Sequence, residues 1–483
     1  MTWHFAVRGR HSCPRGAWHP QPVTRPTIVL AHAFGKRYDL PIPLLLFVVG
    51  GAAVVVLSFV LVLRRASPGA AAAEDEEVAE RLPADDPSVA LGLLSVVVLL
   101  ALVAVGLAGS RVVSENLLPT VFWLLVWIGV PVSCGLVGDW TRAVNPFGAL
   151  VRLADRPGVR RTVLARQEPM AWPSGLGWWV AVGLFVLLVC GELIVNLFAT
   201  RPDVIGAGLL VYALVTLAGG LVFGRAWLLR AEVFSVLFAT WGRLGWWRFG
   251  APGRRGFAGG LVVAFERRAS RALFVLLLLL SVNFDGLLAT PQWMRLERDL
   301  PNGIGHQPHP LQLFRLGSLV VLVVVLTAVF AGFAVASARA GRHGTRPLAS
   351  LTRLLPSLTP IAFGYLVAHN AQYFVGNVQL LFPLIGNPVG REWWPIHLPY
   401  PFNDTYEPSY TGLPAAFYWY LGVVAIVAAH VVAVVIAHRV LSRRAPDEAA
   451  ARASEYPWLV AMVAYTVFSL VLIAQPLVAG SGE

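Results

Sequence analysis

Charge is what this chain has least of: Asp, Glu, Lys and Arg together make up 13% of its 483 residues, while 57% are apolar. A water-soluble domain of this length needs far more polar surface to enclose one core, so a single soluble globule is excluded and the apolar surplus must face lipid. Lysine is almost missing, Lys36 being the only one. The formal net charge of +12 is therefore an arginine excess, and the arginines fall between apolar runs, which reads as membrane orientation rather than nucleic-acid binding. Cysteine is scarce too. Cys13, Cys134 and Cys190 form no CxxC or zinc spacing, and the last two lie in apolar runs, where they read as small apolar residues. The motifs of soluble enzymes are absent: no GxSxG elbow, no HExxH, no P-loop and no dinucleotide fingerprint.

What is present is a series of apolar runs of about 20 residues, the length a helix needs to cross the hydrocarbon layer. They predict an all-α, polytopic transmembrane helix bundle of about ten spans, at 41–63, 88–108, 117–137, 178–198, 205–223, 272–289, 316–336, 357–384, 414–437 and 457–479. The connections after spans one, three, five, seven and nine hold 3, 6, 9, 4 and 4 arginines; those after spans two, four, six and eight hold 1, 1, 3 and 1. The arginine-rich set is cytoplasmic by the positive-inside rule, which puts both termini outside the cytoplasmic membrane. Residues 1–40 are expected to be an N-terminal segment without ordered structure or ahead of the true start, since residues 1–31 hold Arg, His and Pro and no signal-like apolar region. Residues 41–483 form one transmembrane domain. Within it, 227–247 mixes apolar residues with Arg230, Glu232 and Arg243, suiting a helix that lies along the membrane surface. Trp140, Trp178, Trp179, Trp393 and Trp394 read as interfacial anchors. Gly220 and Gly224 form a GxxxG that would let a second helix approach closely. The two halves show no internal repeat.

A polar side chain at mid-bilayer costs about 2.5–3.5 kcal/mol, so each one inside a span needs a partner, a cavity or a role. Span four carries Glu192 and Asn196, span six Asn283 and Asp285, and span eight His369, Asn370, Gln372, Tyr373 and Asn377. These three spans run in the same direction, so their polar groups can converge on one externally accessible site for a small molecule or ion. On span eight His369, Gln372, Tyr373, Gly376 and Asn377 share one helical stripe, which serves equally as a hydrogen-bonded seam between packed helices. His430 on span nine is expected at the depth of His369. Such a pair can ligate a haem iron, copper or another divalent ion, or relay protons; two separately satisfied histidines are the alternative. Glu192 and Asp285, if they met in a cavity, would have the residue types of a general acid and base. His306 and His309 form a loop HxxH, with His397 in a later loop, a pattern more typical of solvated surface.

Several phrases carry a resemblance: AHAFGKRYDLPIP at 31–43, NPF after the third span, NFDG at 283–286, PIAFGYLVAHN at 360–370, and the AH pairs at His430 and His438. From about residue 31 to the C-terminus the chain resembles an actinobacterial family of integral membrane proteins often labelled fenitrothion hydrolase. That resemblance implies cleavage of an organophosphate ester, and a mature chain beginning at His32, whose amine and ring would chelate copper.

Overall fold

The computed structural model describes residues 49–54, 56–57, 59, 80–82, 87–250, 255–305, 307–342, 346–409, 412–443 and 445–478. Every regular element among them is helical, with no β-strand. Residues 1–40, with His32, lie outside the described residues, as do His306 and most of the first expected span.

Among the described residues, eight helices are long and apolar enough to cross a membrane, and the chain is a multi-pass membrane protein. In chain order the elements that matter are α1 (Val89–Ala108), α2 (Leu117–Val137), α3 (Pro146–Ala154), α4 (Trp179–Leu193), α5 (Pro202–Phe223), α6 (Val233–Gly242), α7 (Ala269–Leu288), α8 (Pro308–Ala340), α9 (Pro347–Val378), α10 (Ala415–Ser442) and α11 (Glu448–Val478). The expected ends of α1 and α2 agree with the observed ones to a residue; α8, α9 and α11 start earlier than expected, since their first turns carry polar residues beyond the apolar run.

Two helices form the centre. In α7 and α9, 72% and 78% of the apolar window is buried, against 22% in α1 and α8. The outward faces of α1 and α8 show why: Leu94 and Val97, and Val320, Val321 and Val324, are more than half exposed, an apolar girdle that only lipid covers. Central placement also makes polar residues affordable in α7 and α9, whose neighbours are protein. Pro356 and Pro360 lie inside α9 and each removes one helix N–H. Nearby, Ser357 Oγ donates to Leu354 O at 2.6 Å and accepts from Trp458 Nε1 of α11 at 3.0 Å, fastening that stretch to its neighbour.

Glycines set the close crossings. A Cβ on Gly364 would lie 2.6 Å from Ala429 Cβ, and one on Gly220 2.9 Å from Val151 Cα, so α9 meets α10, and α5 meets α3, nearly backbone to backbone. The GxxxG thus does admit another helix.

Three expectations differ from the structure. Span four is not one helix over 178–198: α4 stops at Leu193, the N–H groups of Ile194 and Val195 both donate to Cys190 O at 3.0 Å, and a separate turn, Asn196–Ala199, follows. At 15 residues α4 is about 22 Å long, short of the roughly 30 Å hydrocarbon layer. The stretch 227–247 is not one helix: Arg225–Arg230 and α6 are separate, and Phe234, Leu237 and Trp241 of α6 are packed against protein, at most 3% exposed. Its charges are the reason it reads as interfacial, yet Glu232 is satisfied internally, accepting from Phe234 N, Ser235 N, Tyr212 OH and Asn145 Nδ2 at 2.6–3.1 Å. Asn145 belongs to the NPF phrase, caps α3 through Phe147 N at 3.0 Å, and so joins two helix starts. Trp178 is fully buried, not an anchor; its Nε1 donates to Leu229 O at 3.0 Å and Arg230 lies over its ring. Trp179 and Trp393 are exposed.

At the end of the bundle where α7 begins, Arg271 is 2% exposed and holds Glu80 through two bonds of 2.9 Å, with Nη1 on Thr240 Oγ1 at 3.0 Å. Arg243 stacks 4.0 Å from the Phe265 ring centre and lies 3.8 Å from Glu80. Burial pushes the Glu80 carboxyl up, but the two guanidinium charges outweigh it and hold it below the usual glutamate value.

Candidate functional site

Where α2, α4, α6, α7 and α9 meet, they line a partly open cavity of about 50 Å³. Its polar lining is Glu192 from α4, Ser281 and Asp285 from α7, and His369 and Asn370 from α9. Trp127, Phe185 and Trp241 make the apolar wall, with Trp127 and Phe185 rings 5.7 Å apart.

The central contact is His369 Nε2 to Asp285 Oδ2 at 2.6 Å, the two side chains 26% and 29% exposed. Glu192 is near enough to both to couple with them electrostatically. With Nε2–H directed at the carboxylate, a neutral ring keeps its lone pair on Nδ1. Asn370 Nδ2 donates to Leu366 O of its own helix at 3.0 Å.

Local structure adds field to this arrangement. Glu192 and Asp285 each occupy the last turn of a helix, α4 ending at Leu193 and α7 at Leu288. Helix C-termini carry partial negative charge, so a carboxylate there is placed against its own helix dipole, a cost of about 0.3–1 kcal/mol. Two such helix ends and two carboxyl groups thus share one cavity with His369. The α2 wall is also irregular: residues Thr120–Gly129 are wound as π-helix, with Val130 N donating to Leu125 O. That widened winding carries Trp127 and Ile128, and Pro131 follows it in the lining.

No family model, no curated protein and no solved structure matches this chain. The site is therefore read from its own chemistry.

Of the residues singled out in the sequence, the fold brings Glu192, Asp285, His369 and Asn370 to one cavity and leaves the others elsewhere. Asn196 lies past the break after α4, its Oδ1 accepting from Leu197 N at 2.8 Å. Asn283 is two residues from Asp285, about 200° round the helix, and so faces α11, accepting from Ser469 Oγ at 3.3 Å and donating to Leu279 O at 3.2 Å. Asn377 Nδ2 donates to Tyr373 O at 2.8 Å, and neither these two nor Gln372 line the cavity.

His430 is not at the depth of His369. Gly422 packs against Ala368, with an added Cβ 3.4 Å from Ala368 Cβ. His369 is thus level with about residue 422, and His430, eight residues further along α10, lies about 12 Å away along the axis. It is 3% exposed, its Nδ1–H donates to Ile426 O at 2.8 Å, and its Nε2 meets Thr466 Oγ1 at 2.6 Å. Both ring nitrogens are taken, so the pair does not present two ligands to one haem iron or copper. Among the described residues no three His, Cys, Asp or Glu side chains gather closely enough to hold a metal ion. His309 and His397 are exposed.

Sequence reasoning missed the aromatic wall and Ser281. Trp241 comes from the stretch read as surface-lying, and Trp127 is one of several tryptophans in a uniformly apolar run; no periodic signal marks either. Glu192, Asp285 and His369 were findable because ionisable groups in apolar runs are rare.

Proposed function

We propose that this multi-pass membrane protein binds and relays a proton at the Glu192–Asp285–His369 centre, within a ten-span bundle in the cytoplasmic membrane whose termini both face outward. The observation that carries the reading is the 2.6 Å His369–Asp285 contact inside a cavity of about 50 Å³. That volume suits a few water molecules or a hydrated proton, whereas sites for drug-sized molecules run to about 300–1,000 Å³. Imidazole is the side chain that titrates nearest neutrality, and a carboxylate partner stabilises its cationic form. Broken helices whose C-terminal ends point at a buried site are a recurrent way of holding H⁺ or Na⁺ in membrane transporters, and α4 has that form.

The test uses the full chain in liposomes enclosing a pH-sensitive dye, with a membrane potential imposed by a potassium gradient and valinomycin. Protein-dependent acidification or alkalinisation is expected, with His369→Gln and Asp285→Asn each lowering it at least tenfold while leaving reconstitution unchanged. Flux equal to that of empty liposomes would overturn the reading.

A second reading is hydrolysis of an apolar, organophosphate-type ester, which the same contact favours because a histidine held by a carboxylate is a general base in waiting. The small cavity weighs against it. It predicts nitrophenol release from a nitrophenyl phosphotriester that Asp285→Ala abolishes, and equal release from wild type and variant would remove it.

A further inference from the structure

Asp139 carries a carboxyl group outside the relay centre, and the fold sets it behind the wall of the same cavity. Along α7 that cavity runs from Asp285 inward to Leu278, seven residues or about 10 Å. Leu237 and Trp241 of α6 and Pro131 of α2 line it as well. Thr240, beside Trp241, accepts on its Oγ1 from Arg271 Nη1 in the first turn of α7 at 3.0 Å, so α6 lies at the cavity's inner end.

Two stretches of chain lead from there to Asp139. On α2 it follows Pro131 by eight residues, just past the helix end at Val137. On α6 Gly242 follows Trp241, and a Cβ there would lie 2.6 Å from Asp139 Cβ. The Phe363 ring of α9 packs on Gly135, midway between Pro131 and Asp139, and is 5.8 Å from the Trp241 ring. A pair of aromatic rings therefore separates the cavity from the carboxyl.

Asp139 itself is half-buried, and the connection it opens is one of the arginine-rich set that the positive-inside rule makes cytoplasmic. Thr141 Oγ1 donates to its Oδ1 at 2.6 Å. The charged and titratable groups that act on it are Arg142, Glu232, Arg255 and Cys134. Burial lifts the carboxyl up to about 6, where it both takes up and releases protons near neutrality.

We propose that Asp139 is the group through which the Glu192–Asp285–His369 centre exchanges its proton with the cytoplasm, an assignment that rests on the relay function proposed above. A proton leaving the His369–Asp285 pair is carried by water admitted past the Trp241 and Phe363 rings. An Asp139 carboxylate oxygen binds it and then loses it to cytoplasmic water, so the carboxylate is regenerated and charge is conserved.

The experiment is the dye-loaded liposome assay on the full chain, run beside thermal unfolding, for wild type, Asp139→Asn and Asp139→Glu. Asp139→Asn should lower flux per folded molecule by about tenfold or more, while its unfolding temperature at pH 7 stays at or above that of wild type. A carboxyl with only a structural role would move stability and leave flux per folded molecule alone. Asp139→Glu keeps the exchanging group and should keep most of the flux. Wild-type flux no greater than that of empty liposomes removes the relay and the port together. Robust wild-type flux that Asp139→Asn matches, or a glutamate variant as inactive as the asparagine one, overturns the port alone.

Discussion

Arg271 grips Glu80 side-on, Nε to Oε1 and Nη2 to Oε2, both at 2.9 Å, across 191 residues of sequence. Removing one partner strands a buried charge. Glu80→Ala is expected to cost about 3–5 kcal/mol, and Glu80→Ala with Arg271→Met less, because the double change also removes the more buried of the two guanidinium groups that Glu80 balances and leaves only Arg243, which still donates to Gly260 O. Thermal unfolding in detergent, compared across the single and double variants, checks this. Glu80 also sets an acid limb. Its folded pKa is depressed, so its contribution is complete above the unfolded glutamate value and is lost as pH falls through the folded one. Glu80→Gln should flatten the unfolding-temperature profile below about pH 4.5.

Asp139, just past α2, behaves oppositely. Burial, aided by the nearby Glu232 carboxylate and opposed by the Thr141 hydroxyl bond and Arg142, pushes its carboxyl up to about 6. A raised carboxyl pKa means the folded state prefers the protonated form, so stability falls as pH rises from about 4 to 6 and stays lower above. Asp139→Asn should therefore stabilise the protein at pH 7 by up to about 3 kcal/mol and leave it unchanged at pH 3.5. A variant no more stable than wild type at neutral pH would contradict this.

Gly220 and Gly208 lie on the same helix, α5, in opposite circumstances. A Cβ on Gly220 would sit 2.9 Å from the Val151 backbone, and one on Gly208 meets nothing within 4 Å. Gly220→Val should lower stability by about 1–3 kcal/mol through overpacking, and Gly208→Val should not. Comparable unfolding temperatures for the pair would argue against the close α3–α5 crossing.

The two intramembrane histidines should separate cleanly. Thr466→Val strands His430 Nε2 and should cost about 1–3 kcal/mol of stability with little change in proton flux per folded molecule. His369→Gln should do the reverse. Loss of flux in the Thr466 variant at matched folded protein would reassign His430 to the relay.

Much of the architecture was legible in the chain. The apolar runs placed α1 and α2 to within a residue because hydrophobic length is read directly by the bilayer, and the rarity of ionisable groups in those runs pointed to Glu192, Asp285 and His369. The break after Leu193 was not legible, since Ile194 and Val195 continue the apolar run and no Pro or Gly directly follows Leu193 to mark the stop. Burial of α6 was hidden for the converse reason: Glu232 looks like a surface residue until Tyr212 and Asn145, distant in sequence, satisfy it.

Composition and hydropathy alone therefore determined that lipid is the solvent, which segments are apolar enough to cross it, and which few side chains need an explanation there. Tertiary structure decided which of those side chains meet. A helix turns about 100° per residue, so Asn283 and Asp285 point to different partners despite near adjacency. The register of α9 against α10 is set by glycine and alanine contacts that no single-helix pattern contains, and it separates His369 from His430, while the packing of α9 against α7 carries His369 to Asp285.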